Sequence, residues 1–411
     1  MIWFGIKVSI FMPILLQINV TANWGSTGKI AEQIGLCAIS HGWESYIAYG
    51  RWCNPSQSHL IKVGNKMDMY FHYGEQKIRD NEGLCSRSAT KRLIRQIETL
   101  RPDVVQLHNI HDHYLNYHLL FDYLNKMDVK IVWTFHDCWA FTGHCFHFVT
   151  KGCERWKTGC YDCPSVHEYP NTLFDRSKKN YELKKQLFVG CENLTIIPCS
   201  EWMRDFIEDS FLKNKYIEVI HNGVDLNTFK PCGLKLSTKD GKFRIIAVSN
   251  VWYPNKGELD IYKLREYLPV EEYKITMVGL SEEQVKRLPK GIDGIRRTQN
   301  IHDLVQLYSD SDILINPTYA DTFPTVNLEA LACGTPVITY RTGGSPEAID
   351  EKTGVVIEQG DLEGLVIAIH RMKESPMSSV DCRARAEACF DKNKCFEKYI
   401  SLYNKLLGSY D

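Results

Sequence analysis

Two successive runs of short apolar strands separated by helical stretches constrain this chain more than any other feature. In the first run, residues 14–20, 45–50, 103–108, 129–136 and 194–199 are rich in Val, Ile and Leu and read as strands. The pattern restarts at 243–250 and continues through 273–279, 312–316 and 336–340. Apolar runs of this length, alternating with helices, indicate strands covered on both faces in a mostly parallel sheet. A polar stretch over 233–241 reads as the linker between the runs. No short-period repeat or Cys-rich block stands between them.

At 411 residues the chain is too long for one core. The expected fold class is therefore α/β, with two Rossmann-like domains facing across a cleft. The expected boundaries are 1–231 for the first domain, 232–392 for the second and 393–411 for a terminal helix. That helix carries an apolar stripe through Phe396, Tyr399, Ile400, Tyr403 and Leu407. The 49 Lys and Arg balance 50 Asp and Glu, so no bulk field favours nucleic acid, and no nucleic-acid partner is expected. The 15 cysteines lack the spacing of a small disulfide scaffold, which favours a reducing cytoplasm. The apolar N-terminus contains Lys7 and no small-residue cleavage site follows it. Residues 14–20 serve better as a core strand, and those before Met12 read as an alternative start or a weak interfacial anchor.

Chemistry concentrates between Asp321 and Pro336, in the run DTFPTVNLEALACGTP. The strand 312–316 feeds a loop closed by Pro324, and a helix over 325–333 ends at Gly334. Asp321 thus sits at the carboxyl end of a parallel strand, and Glu329 in the second turn of the helix. Crevices form there, and the unpaired N–H groups of Thr325 and Val326 can hold an anion. Gly25 and Gly28 stand in a comparable turn after the first strand, where backbone can approach a diphosphate closely. Tight turns use glycine for their own sake as well. Lys256 follows the first strand of the second run, and an ammonium there can offset charge on a leaving group. His136 ends the strand 129–136, while His108, Asn109 and His111 end its neighbour. A strand-end histidine can bond a hydroxyl or serve only the core.

The run from Asp321 to Pro336 resembles the donor-site signature of retaining GT-B glycosyltransferases of the family 4 type, with two carboxylates separated by seven residues. Asp321 stands where that family usually has Glu, Pro324 replaces a usual Gly, and Asn250 or Val251 stands where an Arg often accompanies Lys256. Arg341 is a possible substitute. The resemblance implies a nucleotide-diphosphate sugar, of the UDP or GDP type, as co-substrate. It also implies retention at the anomeric carbon and no metal at the reaction centre. Asp321 would face the donor sugar, Glu329 the ribose and Lys256 the diphosphate. Thr325, Val326, Gly25 and Gly28 would line the donor, and His136, in a TxH strand end, would contact the sugar. The terminal helix would cross back onto the first domain. The implied product is a cell-surface polysaccharide, built on a saccharide or lipid-linked acceptor. A nucleotide-sugar epimerase of the same fold and a non-catalytic nucleotide-sugar-binding subunit are the alternatives.

Two further segments carry a signal of their own. In the insert 138–165, Cys145, Cys153, Cys160 and Cys163 include one Cys-x-x-Cys pair and have the donors for a tetrahedral structural zinc site. His144, His147 and Cys138 are spare ligands, and reduced cysteines packing as small apolar groups are the alternative. The helical stretch 87–101 turns Arg87, Lys91 and Arg95 to one face. It reads either as a solvated surface or as a contact with the inner face of a membrane.

Overall fold

The computed structural model describes residues 12–233 and 240–408. The possible anchor before Met12 and most of the expected linker lie outside them. The first sheet has seven strands, ordered β3-β2-β1-β4-β5-β6-β7. They are β1 (Ile14–Asn19), β2 (Glu44–Tyr49), β3 (His59–Lys62), β4 (Val104–Leu107), β5 (Lys130–Phe135), β6 (Leu194–Pro198) and β7 (Tyr216–Ile217). The second has six strands, ordered β10-β9-β8-β11-β12-β13. Its members are β8 (Phe243–Val248), β9 (Tyr273–Val278), β10 (Ile292–Ile295), β11 (Ile313–Asn316), β12 (Val337–Tyr340) and β13 (Gly354–Ile357). Every pairing in both sheets is parallel.

This is the GT-B arrangement, two α/β sheets across a cleft. In each sheet the strand order reverses beside the first strand, between β1 and β4 and between β8 and β11. Such switch points leave a crevice at the carboxyl ends of the strands. The central strands are dry, since β4 and β11 are buried along their whole length. Helices on both faces exclude water from them, which is why the sequence shows unbroken apolar runs rather than alternation.

The segment that joins the first sheet to the second domain is mostly loop in its described part. Only Tyr216 and Ile217 pair with β6, and Val224 instead bridges to Asp391. The terminal helix, Lys392–Leu407, begins on an Asp391 cap whose carboxylate accepts from the Asn393 amide at 3.0 Å. It lies on the first sheet's side of the molecule. Tyr403 packs against Trp43 with ring centroids 5.5 Å apart, and the Tyr399 hydroxyl is 3.2 Å from that of Thr134 in β5. No helix among the described residues is long and apolar enough to cross a membrane.

Candidate active site

Lys256 and Asp321 come together at the switch point of the second sheet. Lys256 closes a short 3₁₀ turn, Pro254–Lys256, in the loop after β8, and Asp321 lies in the loop after β11. Main-chain bonds zip the two loops together. The Tyr319 amide donates to the Asn255 carbonyl at 2.7 Å, and the Thr318 hydroxyl donates to the same oxygen at 3.2 Å. Gly257, at φ +74°, sits where a Cβ would fall 2.1 Å from the Pro317 carbonyl oxygen, so only glycine lets the loops meet this closely. The Lys256 ammonium then lies 2.5 Å from the Asp321 carboxylate. Burial works to lower the pKa of Lys256, but the Asp321 charge outweighs it and leaves the ammonium above its ordinary value.

The helix Thr325–Ala332 starts directly behind Asp321, with Pro324 as its cap residue and no side chain covering the first turn. The Thr325 and Val326 amides therefore keep their donors free of intrahelical partners. Glu329 lies one turn further and accepts from the Tyr308 hydroxyl at 2.9 Å. Burial raises its pKa to about 7, against the pull of that hydroxyl and of Lys29. Lys29 belongs to the helix Gly25–Ser40 of the first domain, so its influence on Glu329 reaches across the cleft. Gly25 opens that helix at φ +66°. Gly28 lies inside its first turn, where a Cβ would stand 2.6 Å from the Thr21 hydroxyl, so it seats the helix tightly on the end of β1.

On the first domain's wall, a chain of side chains fixes the ring of His136. The Gln17 amide nitrogen donates to the Ala31 carbonyl at 2.8 Å, which turns its oxygen toward His108. That oxygen only accepts, so His108 Nε2 carries a proton and donates to it at 3.0 Å. His108 Nδ1 then accepts from His136 Nε2 at 3.1 Å, which leaves the His136 Nδ1 lone pair as that ring's remaining acceptor. Burial lowers both histidines, His136 to about 4, so the pair is neutral. His111 takes another part, pairing with Asp137 at 2.9 Å and stacking on Phe146 at 4.4 Å. The two walls touch where the Thr322 hydroxyl donates to the His136 carbonyl at 2.8 Å.

Three contributors carry no motif in the sequence. His147, in the Cys-rich insert, lies within the electrostatic reach of Asp321 and Lys256, and burial lowers its pKa. Its carriage to the cleft depends on the fold of an irregular insert, which periodicity does not describe. Glu347 accepts from the Glu201 and Trp202 amides at 2.9 and 2.8 Å and from His221 at 2.9 Å, so it caps a first-domain helix from the second domain. Gly344, at the end of the signature region, donates its amide to the Thr322 carbonyl at 2.9 Å and steadies the loop behind Asp321. Arg341 does not substitute for the missing arginine, because it is exposed and pairs with Glu358 at 2.6 Å. Cys145, Cys153, Cys160 and Cys163 line one small cavity together with His144 and Trp156.

Comparison with known proteins identifies the architecture. The model described as Glycosyltransferase Family 4 matches residues 39–228, and that described as Glycosyl transferases group 1 matches 242–375. This is a GT-B glycosyltransferase related to family 4. Its relatives include the putative colanic acid biosynthesis glycosyl transferase WcaC of Escherichia coli K12, 23% identical over 95% of this chain and all of the relative. Among solved folds, sucrose-phosphate synthase from Thermosynechococcus elongatus superposes with a TM-score of 0.70 at 16% identity, over 97% of this chain and 100% of that one. Anabaena HepE in complex with UDP superposes at 0.65, with 13% identity, over 96% of this chain and 100% of that one. One matched segment falls on each domain, and the Lys256–Asp321 pair lies within the second.

Proposed function

We propose that this enzyme is a retaining hexosyltransferase that moves a sugar from a UDP- or GDP-type donor to a saccharide or lipid-linked saccharide, in cell-surface polysaccharide synthesis. The observation that carries the reading is the Lys256–Asp321 pair at the switch point, held against His136 by the Thr322 bond. A diphosphate entering this crevice meets an ammonium kept charged by its neighbour and the open amides of Thr325 and Val326. These groups offset charge that grows on the diphosphate as the glycosidic bond breaks, and they are in position before the reaction begins. Asp321 and the His136 Nδ1 lone pair accept from donor-sugar hydroxyls and hold the anomeric carbon open on the face the diphosphate leaves. Glu329 accepts from the ribose. The acceptor arrives along the first domain's wall, past His111 and His147, and attacks on that same face. The likeness to a UDP-bound fold and to a polysaccharide transferase supports this reading.

A membrane-facing surface fits the same proposal. The helix Lys66–Arg79 exposes Met67, Tyr70, Phe71 and Ile78, and Leu173 and Phe174 stand exposed beside it. Arg92, from the basic helix Arg87–Leu100, reaches Asp68 on that helix at 3.5 Å. Apolar side chains flanked by cations suit the headgroup region of an anionic leaflet, which supports a peripheral position on the cytoplasmic face.

The test is a thermal-shift screen with UDP, GDP, ADP and CMP, followed by their sugars. A ligand that binds only the folded state raises the melting temperature. A shift with UDP or GDP, followed by turnover of the matching sugar, is the expected result. No shift in folded protein would point to the non-catalytic subunit instead.

A further inference from the structure

Between β5 and the helix Ser177–Val189 the chain has little regular structure. Its only helical turns are the short 3₁₀ segments Trp139–Phe141, Val149–Lys151 and Arg155–Lys157. Such a segment needs something other than a backbone ladder to keep its shape. Part of the answer is Lys184, a buried lysine whose ammonium donates to the Trp139 and Thr142 carbonyls at 2.6 and 3.0 Å. The outer half of the insert, 143–165, lies beyond that anchor.

There, four cysteines distant in sequence line one cavity of about 10 Å³. That is room for a single water-sized body. All four are free thiols, so no disulfide braces the segment. The Gly143 amide donates to the Cys160 sulfur at 3.2 Å. Backbone amides that donate to sulfur are the outer bonds that orient and stabilise metal-bound thiolates. The order of ligands, two looser cysteines and then a Cys-x-x-Cys pair, gives a four-sulfur set without help from elsewhere. Among the described residues no three metal-binding side chains close on one point as a bound ion would draw them, and the thiols ring the cavity instead.

We propose that Cys145, Cys153, Cys160 and Cys163 bind one structural zinc ion as thiolates, and that the ion sets the shape of the cleft wall. Four thiol protons pass to solvent as the ion enters, and no group is oxidised or reduced. The consequence for the enzyme follows from the chain. Cys145 lies two residues before His147, at the start of the stretch that packs on the cleft wall. Between them Phe146 stacks on His111 and bonds through its carbonyl to the Cys138 amide at 2.8 Å. A metal that fixes Cys145 therefore fixes Phe146 and, through it, the support of His111, which pairs with Asp137 on the cleft wall. The wall-setting role rests on the donor reading above, whereas occupancy of the site does not.

The experiment is metal analysis of the full chain, purified without chelator or a histidine tag and equilibrated with zinc before gel filtration. About one zinc per chain is expected, with X-ray absorption showing four sulfur neighbours at about 2.3 Å. Cys160→Ser and Cys163→Ser should each fall below about a fifth of an equivalent, and Cys389→Ser, an exposed cysteine far along the sequence, should keep the ion. Wild-type protein holding less than about half an equivalent, or full occupancy in both Cys160→Ser and Cys163→Ser, would overturn the proposal. If those variants do not fold, the wild-type absorption spectrum decides alone, since a nitrogen and oxygen shell excludes the thiol set. Metal content is read without turnover, so its failure leaves the donor reading standing.

Discussion

The wall that carries Lys256 and Asp321 is made of short loops tied main chain to main chain, whereas the facing wall is made of side chains tied to one another. On the first, Tyr319 bonds Asn255, Gly344 bonds Thr322, and an ion pair stands at the front. On the second, Gln17, His108 and His136 form a neutral relay, and Lys184 behind them is lowered to about 7 by burial. An ion pair thus stands where a diphosphate would depart, and the facing wall sets a neutral histidine pair beside the His111–Asp137 contact. In the proposed reaction the Lys256 ammonium, partly withdrawn from solvent, would act more strongly on a departing diphosphate than it would in water. The division of labour is physical: one wall supplies the field, and the other supplies shape.

Breaking the charged wall should have the largest effect. Lys256→Ala is expected to slow donor turnover by roughly 100- to 1,000-fold, the size seen when one preorganised stabilising group is lost. Nucleotide-induced thermal shift should survive in that variant, and unchanged turnover would remove Lys256 from the mechanism. Next comes Glu329→Ala, which loses its hydrogen bond to the ribose, at most about 1.5 kcal/mol for a neutral carboxyl, or roughly tenfold in nucleotide affinity. Calorimetric titration with the nucleotide found in the screen reads it directly.

Thr322→Val separates the walls without touching either set of charges. Loss of one hydrogen bond of about 1 kcal/mol should lower turnover about two- to fivefold and leave nucleotide affinity unchanged. Equal losses in both would mean that the contact serves the donor wall alone. The smallest effect is on stability. Burial holds the Glu329 carboxyl at about 7, above its ordinary value, so the fold favours the protonated form. Its contribution is complete below the ordinary carboxyl range and is lost as pH rises through about 7. Glu329→Gln, which stays neutral, should match wild type near pH 5 and melt about 2 °C higher at pH 8 without ligand. A gap that does not widen with pH would show that the carboxyl is already ionised in the fold.

The same contrast explains what was legible in the sequence. Central strands announce themselves because both faces are buried, so β1, β4, β5, β8, β11 and β12 stand out as apolar runs. The edge and short strands β3, β7, β10 and β13 do not. β3 is largely exposed, β7 spans two residues, β10 contains Gly294 and β13 is half-buried. The donor wall was readable because a βαβ unit puts residues of fixed spacing at a fixed place, which brought Asp321, Thr325, Val326 and Glu329 into one crevice. Meeting Lys256 took only the next strand's loop. On the other wall, strand ends pointed to His108, His111 and His136, but their order of hydrogen bonding depends on Gln17, an internal residue with no motif. Glu347 was hidden for a simpler reason. It acts through contacts more than 100 residues away in sequence, and nothing in the local pattern encodes those partners.

The return of the helix Lys392–Leu407 to the first domain has a consequence for how the molecule is made. Phe396, Tyr399 and Tyr403 share one apolar cluster with Leu15, Val104, Val132 and Ile197. A ribosome adding about 5–20 residues per second releases the first sheet long before that helix. The stretch in between takes on the order of 10–40 s at that pace, and for all of it part of that cluster stays uncovered, held by Ile30, Ile34 and Ala38 of the first helix. The second sheet has no such debt, because its strands and covering helices emerge together. The domain begun first is therefore completed last, and its completion fastens a partner that has already folded.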